Sequence, residues 1–381
     1  MNGLSMFANV GIAETYLKSV GVDIVVANEL LEERARFYSD VYPECDMICG
    51  NIQDEEIFNK VLSTAKEKNV KFLIATPPCQ GMSPAGKKDP KDARNNLITS
   101  AVDMIEQLDP DYVLIENVMQ VLKTKIYYDG EYVLIPDYLK ARLGEKYNFN
   151  DNQVIDSKFY GVPQQRKRAI FLLAKKSTNV YWEFPEKSED FVTVRDAIGD
   201  LPSLDPLVKE AEYRGMFPDY EKKKAEGLKV SKWHCPREHV WRNVEVMMHT
   251  PEGMSARKNP VYFPKKKDGT MVGGALRTYM RMEWDRPAPT ITAYNHTISS
   301  FQNVHPGRPW KIDENGDMLY TDPRVLTIFE LMRIMSLPDD WNIPEWASTQ
   351  LIRQVIGEGI PPLLIEKIVA QLHLEGNENN D

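Results

Sequence analysis

Cys79 ends the run Thr76-Pro77-Pro78-Cys79, directly behind the apolar stretch Phe72-Leu73-Ile74-Ala75. A short apolar stretch reads as a buried strand. Two prolines, which cannot donate to a sheet ladder, then stop it and stiffen the turn. A thiol on a rigid elbow at a sheet edge is well placed for nucleophilic attack, although a lone cysteine is more often a small buried hydrophobe. Glu116 closes a second apolar run, Tyr112-Val113-Leu114-Ile115. Partial burial there would raise its pKa and let it share a proton with a substrate; a cap or an ion pair is the plainer role. Arg166 and Arg168 precede Ala169-Ile170-Phe171-Leu172. Two apart at a strand start, they are expected to point the same way and reach one anion or carbonyl, unless they are ordinary surface charge. Glu29 ends a third apolar run, eighteen residues after Gly11, where dinucleotide folds place an acidic residue that accepts from ribose hydroxyls.

The elements that would position these residues alternate. Strands are predicted over 4–8, 22–27, 72–75, 112–115 and 168–174, and helices over 13–19, 55–68 and 97–108. In the second of these helices Ile57, Phe58, Val61, Leu62 and Ala65 recur at helical spacing. Such alternation predicts an α/β, Rossmann-like fold with a mostly parallel sheet covered by helices. Ligands in that architecture bind at the carboxyl ends of the strands, where Gly11, Glu29, Cys79 and Glu116 all fall. After Lys176 prolines become frequent and lysine clusters appear at 222–224 and 265–267. A last helix over 363–372 is expected to pack back onto the sheet, with 377–381 a frayed tail.

With 381 residues, 42% apolar and 27% charged, the chain suits a soluble globular protein of two domains, or one large domain with an insertion. No apolar run approaches the ~20 residues of a membrane span, and residues 1–7 do not read as a secretory signal. Four cysteines without a Cys-x-x-Cys pair suggest free thiols in a reducing cytoplasm. His234, Cys235, His239 and His249 lack a standard zinc spacing, so no metal site is expected. The net charge is −9, yet residues 206–286 carry 17 Lys and Arg against 11 Asp and Glu, leaving −15 on the remainder. A basic segment in an acidic protein is an electrostatic footprint for nucleic acid, or simply a solvated lysine-rich surface.

In combination the motifs are far more specific. Phe7-Ala8-Asn9-Val10-Gly11, Asn28-Glu29, Pro77-Pro78-Cys79-Gln80, Glu116-Asn117-Val118 and Gln164-x-Arg166-x-Arg168 occur in this order. They are followed by Arg286-Pro287-Ala288-Pro289-Thr290-Ile291-Thr292, Arg324-Val325-Leu326-Thr327 and Gly357-Glu358-Gly359-Ile360-Pro361-Pro362. Over residues 4–372 the chain resembles the DNA cytosine-5 methyltransferases of bacterial restriction-modification type.

The resemblance implies an S-adenosylmethionine-dependent catalytic domain over 1–200, an irregular target-recognition domain over 201–285 and a segment 286–381 returning to the catalytic domain. It implies Cys79 as the nucleophile that adds to C6 of a cytosine flipped from duplex DNA, with Glu116 at the N3 edge and Arg168 and Arg166 near O2. Phe7, Asn9, Gly11, Ile12, Glu29, Asn51, Ile52, Pro78 and Glu358 would bind S-adenosylmethionine. Gln80, Gln164, and Ser83, Lys87 and Arg94 in a loop over 81–96 that closes on the DNA, would contact DNA. In the recognition segment Arg237, Arg242, Arg257 and Arg277 are available for phosphates or base edges. Double-stranded DNA is the implied partner, with a cognate restriction endonuclease acting separately, and a cytoplasmic, nucleoid-associated monomer in a prokaryote is expected.

The chain departs from the family's usual glycine, aspartate and asparagine at Asn9, Asn51 and Glu358. Asparagine tolerates left-handed backbone, and Asn51 can still accept from an adenine amino group, whereas Glu358 adds a negative charge. Three readings remain open from the sequence: a DNA methyltransferase, an RNA cytosine-5 methyltransferase, and a DNA-binding protein that has lost its cofactor.

Overall fold

The computed structural model describes residues 1–78 and 97–373, with the side chains of 151–153 excepted. The expected α/β architecture is present. A seven-stranded sheet runs in the order β3-β2-β1-β4-β5-β9-β8, built from β1 (Asn2–Met6), β2 (Asp23–Glu29), β3 (Asp46–Cys49), β4 (Phe72–Ala75), β5 (Tyr112–Asn117), β8 (Tyr147–Asp156) and β9 (Lys167–Lys175). A separate hairpin, β6 (Lys125–Tyr128) and β7 (Glu131–Leu134), follows β5. The first five strands of the sheet pair in parallel, and β9 and β8 close it antiparallel.

Alternation along each strand feeds two cores. On one face Leu73, Ala75, Val113 and Ile115 pack with α2 (Glu55–Glu67), α3 (Leu97–Leu108) and α4 (Ile135–Leu143); α1 (Glu32–Val41) follows β2. On the other face Phe72, Ile74, Leu114 and Leu172 pack against the last helix, and Trp182 Nε1 donates to Ile368 O at 2.9 Å. The C-terminal helix thus returns to the sheet as expected.

The helix predicted over 13–19 is instead two 3₁₀ turns, Ile12–Glu14 and Leu17–Val20, bounded by the left-handed Gly11 and Gly21. Local apolar spacing gave no warning that glycine geometry would cut it. A third core joins α5 (Val194–Ile198) with Met282, Trp284, Ala288 and Ile291 and with two late helices, α8 (Ile328–Ile334) and α9 (Thr349–Glu358), which precede α10 (Pro362–Ala370).

The basic region holds α6 (Tyr220–Val230), α7 (Trp241–Met248) and the short pair β10 (Leu207–Val208) and β11 (Glu238–His239); the hairpin β12 (Pro309–Ile312) and β13 (Met318–Tyr320) follows beyond it. Val246, Met247, Ala256 and Tyr279 share one cluster with Ile298, Val304 and Val325. Arg281, wholly buried, donates to the carbonyls of Thr250, His305, Asp322, Met247 and Thr321. A guanidinium can satisfy that many acceptors because it offers five N–H groups in a rigid plane.

Candidate active site

The order β2-β1-β4 reverses the strand progression beside β1, which makes the carboxyl ends of β1 and β4 a topological switch point. Two turns meet there. Met6 lies opposite Ala75, Thr76 N donates to Met6 O at 3.3 Å, and Thr76 Oγ1 donates to Phe7 O at 3.1 Å. The turn after β1 places Phe7, Asn9 and Gly11 at positive φ (60°, 52° and 77°). For a phenylalanine this is uncommon backbone of the kind that clusters at functional sites. Gly11 is irreplaceable on packing as well, because an added Cβ would lie 2.3 Å from the Tyr42 ring. The left-handed tolerance expected of Asn9 is used.

Glu29, buried at the end of β2, accepts from Asn9 N and from Leu31 N, both at 2.9 Å. Its carboxylate is therefore fixed against the turn after β1, with lone pairs left for a ligand. Leu30 and Leu31, which the sequence reading passed over, are exposed beside it at 59% and 47%. Apolar residues left uncovered next to an aligned carboxylate suit a flat, partly apolar ligand. At the end of β3, Asn51 Oδ1 accepts from Gln53 N at 3.1 Å, so this amide also shapes its own turn. Ile12 and Ile52 are buried. Pro78 is exposed at the edge of the described chain.

Glu358 sits at the C-terminal end of α9, next to the same turn. Its Oε2 accepts from Asn9 Nδ2 at 3.3 Å and pairs with Arg34 of α1 at 2.8 Å, and its Oε1 accepts from Gln354 at 3.0 Å. The charge that looked foreign in the sequence has a cationic partner. Arg34 was missed because it carries no local signal; only the fold brings it to a residue so distant in the chain. Asn9 Oδ1 is buried with no hydrogen-bond partner among the described residues. A buried acceptor in need of a donor is what a turn meant to hold the donor-bearing end of a ligand would show, so the residues present fit S-adenosylmethionine.

Across the switch point, Asn117 Nδ2 donates to Pro77 O at 2.9 Å while its Oδ1 accepts from Val118 N at 2.9 Å. This buried amide ties the end of β5 to the proline elbow, a role its motif did not disclose. Cys79, Gln80, Ser83, Lys87 and Arg94 lie outside the described residues. The other three cysteines are poor nucleophiles: burial pushes the Cys45 thiol up to about 12 and raises Cys49 and Cys235 as well.

Glu116 is 6% exposed, and its Oε1 lies 2.8 Å from Arg168 Nε. Glu116 is paired across the ladder with Ile170, which makes Arg168 a diagonal neighbour. Burial raises the carboxyl above its ordinary value, opposed by the charges of Arg168 and Arg166.

Two expectations need correction. Arg166 does not share the orientation of Arg168 toward an open site. It is 2% exposed and donates to Ile291 O at 2.8 Å, Gly357 O at 3.0 Å and Glu358 O at 3.1 Å. The last two are terminal carbonyls of α9, which lack intrahelical partners and favour a cation. Arg166 is a positioning residue that locks Glu358 and the segment at Ile291 to the start of β9. Gln164, expected on DNA, is fully buried; its amide accepts from Ile291 N at 3.1 Å and donates to the Met335 sulfur at 3.0 Å. It has no exposed surface to offer a partner.

In the basic region Arg242 is exposed at the start of α7, and Arg277 is exposed with its guanidinium 5.6 Å from the Phe301 ring centre. Arg237 is half-buried, and its charge helps hold the His239 and His296 rings below their ordinary pKa after burial itself. Arg257 donates to Val272 O, which ties up part of its guanidinium. Among the described residues no group of three or more His, Cys, Asp or Glu could hold a metal, and no helix is long and apolar enough to cross a membrane.

Comparisons agree with this geometry. The family described as C-5 cytosine-specific DNA methylase matches residues 1–373. The chain is 46% identical over 382 residues to Type II methyltransferase M1.HgaI of Avibacterium volantium, covering 99% of this chain and 98% of that protein. It is 25% identical to Type II methyltransferase M.DdeI of Desulfomicrobium norvegicum, covering 98% and 88%. Among solved structures, Dnmt2 methyltransferase of S. pombe shares the fold at a TM-score of 0.57 and 14% identity, covering 98% of each chain. The chain belongs to the C-5 cytosine-specific DNA methylases: it is a DNA cytosine-5 methyltransferase that uses S-adenosylmethionine.

Proposed function

We propose that the chain methylates C5 of a cytosine swung out of a specific duplex DNA sequence, through a transient bond between Cys79 and C6. The observation that carries this reading is the buried Glu116–Arg168 pair, at 2.8 Å, beside an elbow that Asn117 pins through Pro77 O. Cytosine C5 is a weak nucleophile. When the Cys79 thiolate bonds to C6, the C5–C6 π pair moves onto C5, and N3 gains negative charge that a donor must meet. Glu116, with its pKa raised by burial, can be protonated and donate to N3 while its other oxygen accepts from the exocyclic amine. Arg168 beside it suits O2. S-adenosylmethionine, when bound, supplies an electrophilic methyl carbon. C5 would take that methyl group, the C–S pair leaving with S-adenosylhomocysteine; loss of the C5 proton to water and expulsion of the Cys79 thiolate then restore the ring, now methylated.

Glu29, Asn9, Gly11, Asn51, Ile52, Pro78 and Glu358 are the residues we assign to the cofactor, and Arg237, Arg242 and Arg277 to DNA. The extensive likeness to a protein named as a Type II methyltransferase supports a role beside a restriction endonuclease. Expression in cells followed by base-resolution bisulfite sequencing tests the proposal. Methylated cytosines should appear within one short sequence context in genomic DNA. Unmodified DNA, or methylation confined to RNA, would overturn it.

Glu116→Gln keeps the shape but cannot present a proton in the same way. Single-turnover methylation should slow by roughly 10²–10³-fold or more, while DNA affinity in a binding titration changes little. Matched losses in rate and affinity would instead mark Glu116 as structural.

A further inference from the structure

Glu14 is 6% exposed, yet no Lys, Arg or His pairs with it among the described residues. It lies three residues beyond Gly11, and its N–H donates to Gly11 O at 3.2 Å. Two hydroxyls hold its carboxyl: Ser5 Oγ of β1 donates to Oε1 at 2.5 Å, and Tyr38 of α1 donates to Oε2. Tyr42, whose ring lies 4.9 Å from that of Tyr38, donates to Gly11 O at 2.7 Å and closes the circuit on the turn after β1. Burial raises the Glu14 carboxyl to about 7, against the two hydroxyl hydrogen bonds that lower it. The groups that face it stay neutral in that range. Burial raises Tyr38, Tyr42 and Cys45 above their ordinary values, and Lys68, whose charge reaches Cys45, is paired with Asp46 at 2.7 Å.

A buried carboxyl without a cation is incomplete as an anion, and the ligand of the adjoining turn is a cation. S-adenosylmethionine carries a sulfonium beside its zwitterionic amino-acid group. The product S-adenosylhomocysteine has lost that charge together with the methyl group. Resting on the reading that this turn holds the cofactor, we propose that Glu14 is the counter-charge by which the protein tells the two apart: it gives its proton to solvent when S-adenosylmethionine binds and regains one from solvent when the product takes its place. Enclosed by β1, the turn and α1, Glu14 acts through space, where a low dielectric lets a charge be felt beyond contact. Its two hydroxyl donors match the ionised form, which accepts from both. By linkage, a ligand that favours the ionised form lowers its pKa. S-adenosylmethionine therefore gains affinity as pH rises toward 7, while the neutral-sulfur product gains little. A carboxyl that merely braces β1 against α1 would serve both ligands alike.

Calorimetry on the full-length protein near pH 7, in phosphate and in Tris, counts the protons exchanged, because the two buffers differ in ionisation enthalpy. Glu14→Gln places a neutral group of the same shape and serves as the reference that cancels titration of the ligands themselves. Relative to it, the wild type should release roughly 0.4 proton with S-adenosylmethionine and about 0.1 or less with S-adenosylhomocysteine. The same substitution should weaken S-adenosylmethionine by about 5-fold or more and leave S-adenosylhomocysteine within about 2-fold. Retained affinity for the product also reports that the variant is folded. Tyr38→Phe removes a donor that lowers the carboxyl, so it should move proton release to higher pH. An equal proton count for the two ligands, no count in the wild type, or a preference unchanged in Glu14→Gln would overturn the counter-charge while leaving the cofactor assignment standing. If Glu14→Gln binds neither ligand, the pH shift in Tyr38→Phe decides in its place, and absence of that shift overturns the proposal. A wild-type protein that binds neither ligand, with or without DNA, would overturn the cofactor site itself, and the counter-charge with it.

Discussion

Cys79→Ala is expected to lower methyl transfer by more than about 10⁴-fold, the scale on which losing a covalent nucleophile is felt, while DNA binding stays near normal. The three other thiols all have pKa values raised above the ordinary one, desolvation being the largest cause. Pro77, by contrast, is tied to the end of the strand that carries Glu116, and Cys79 follows two residues later. A second readout separates nucleophile from bystander. DNA with 5-fluorocytosine at the target position should form a stable covalent adduct with the wild-type protein, because fluorine cannot depart as a proton does. The adduct should be absent from Cys79→Ala. Near-normal turnover by the variant, or an adduct that survives the substitution, would rule out the assigned nucleophile.

Most of the sheet could be read from the sequence because its information is local. Phe72–Ala75 and Leu97–Leu108 fall where their apolar patterns place them, since a buried strand and an amphipathic helix both announce themselves within a few residues. The candidate site was legible in a different way. Motif order placed Glu29, Glu116 and Arg168 at strand ends, and the structure brings Glu116 and Arg168 into contact. What failed did so for physical reasons. Gln164 and Arg166 are polar, and polarity reads as exposure, yet both are buried against backbone groups that need partners. Their acceptors and donors lie more than a hundred residues away, where no local pattern reaches. Glu358 read as an intrusion because Arg34 could not be paired with it before the chain was folded. Arg257 read as a free cation and is partly spent on Val272 O.

At the Arg324-Val325-Leu326-Thr327 motif the partners are close in the chain, and its loss is expected to cost stability and not contacts with a ligand. Arg324 is fully buried and bridges Asp322 at 2.8 Å and Glu330 at 2.9 Å. Thr327 and Glu330 form a capping box at the start of α8. Burial alone would raise both carboxyls, but the charges of Arg324 and His305 more than reverse it, holding Glu330 at about 2 and Asp322 lower still. Arg324→Met leaves two buried carboxylates without their cation, a loss of about 3–5 kcal/mol on the scale of broken buried ion pairs.

The pH dependence gives this prediction its sharper edge. In the wild type, folded carboxyl values below their ordinary ones contribute stability that is complete above about pH 4.5 and is lost as pH falls toward 2. Burial, aided by nearby arginine charges, holds His305 at about 4 and His239 at about 3, against an ordinary 6.5. The unfolded chain therefore takes up those protons first, and stability also declines as pH drops below 6.5. Through these groups, denaturant unfolding of the wild type should show stability falling from pH 6.5 to 3. In Arg324→Met the two carboxyls lose the charge that kept them ionised, so protonation on acidification relieves their burial. Its deficit relative to wild type should be greatest near pH 7 and shrink toward pH 4. A deficit that stays constant across that range would show that Arg324 acts through packing alone, not through the charges it neutralises.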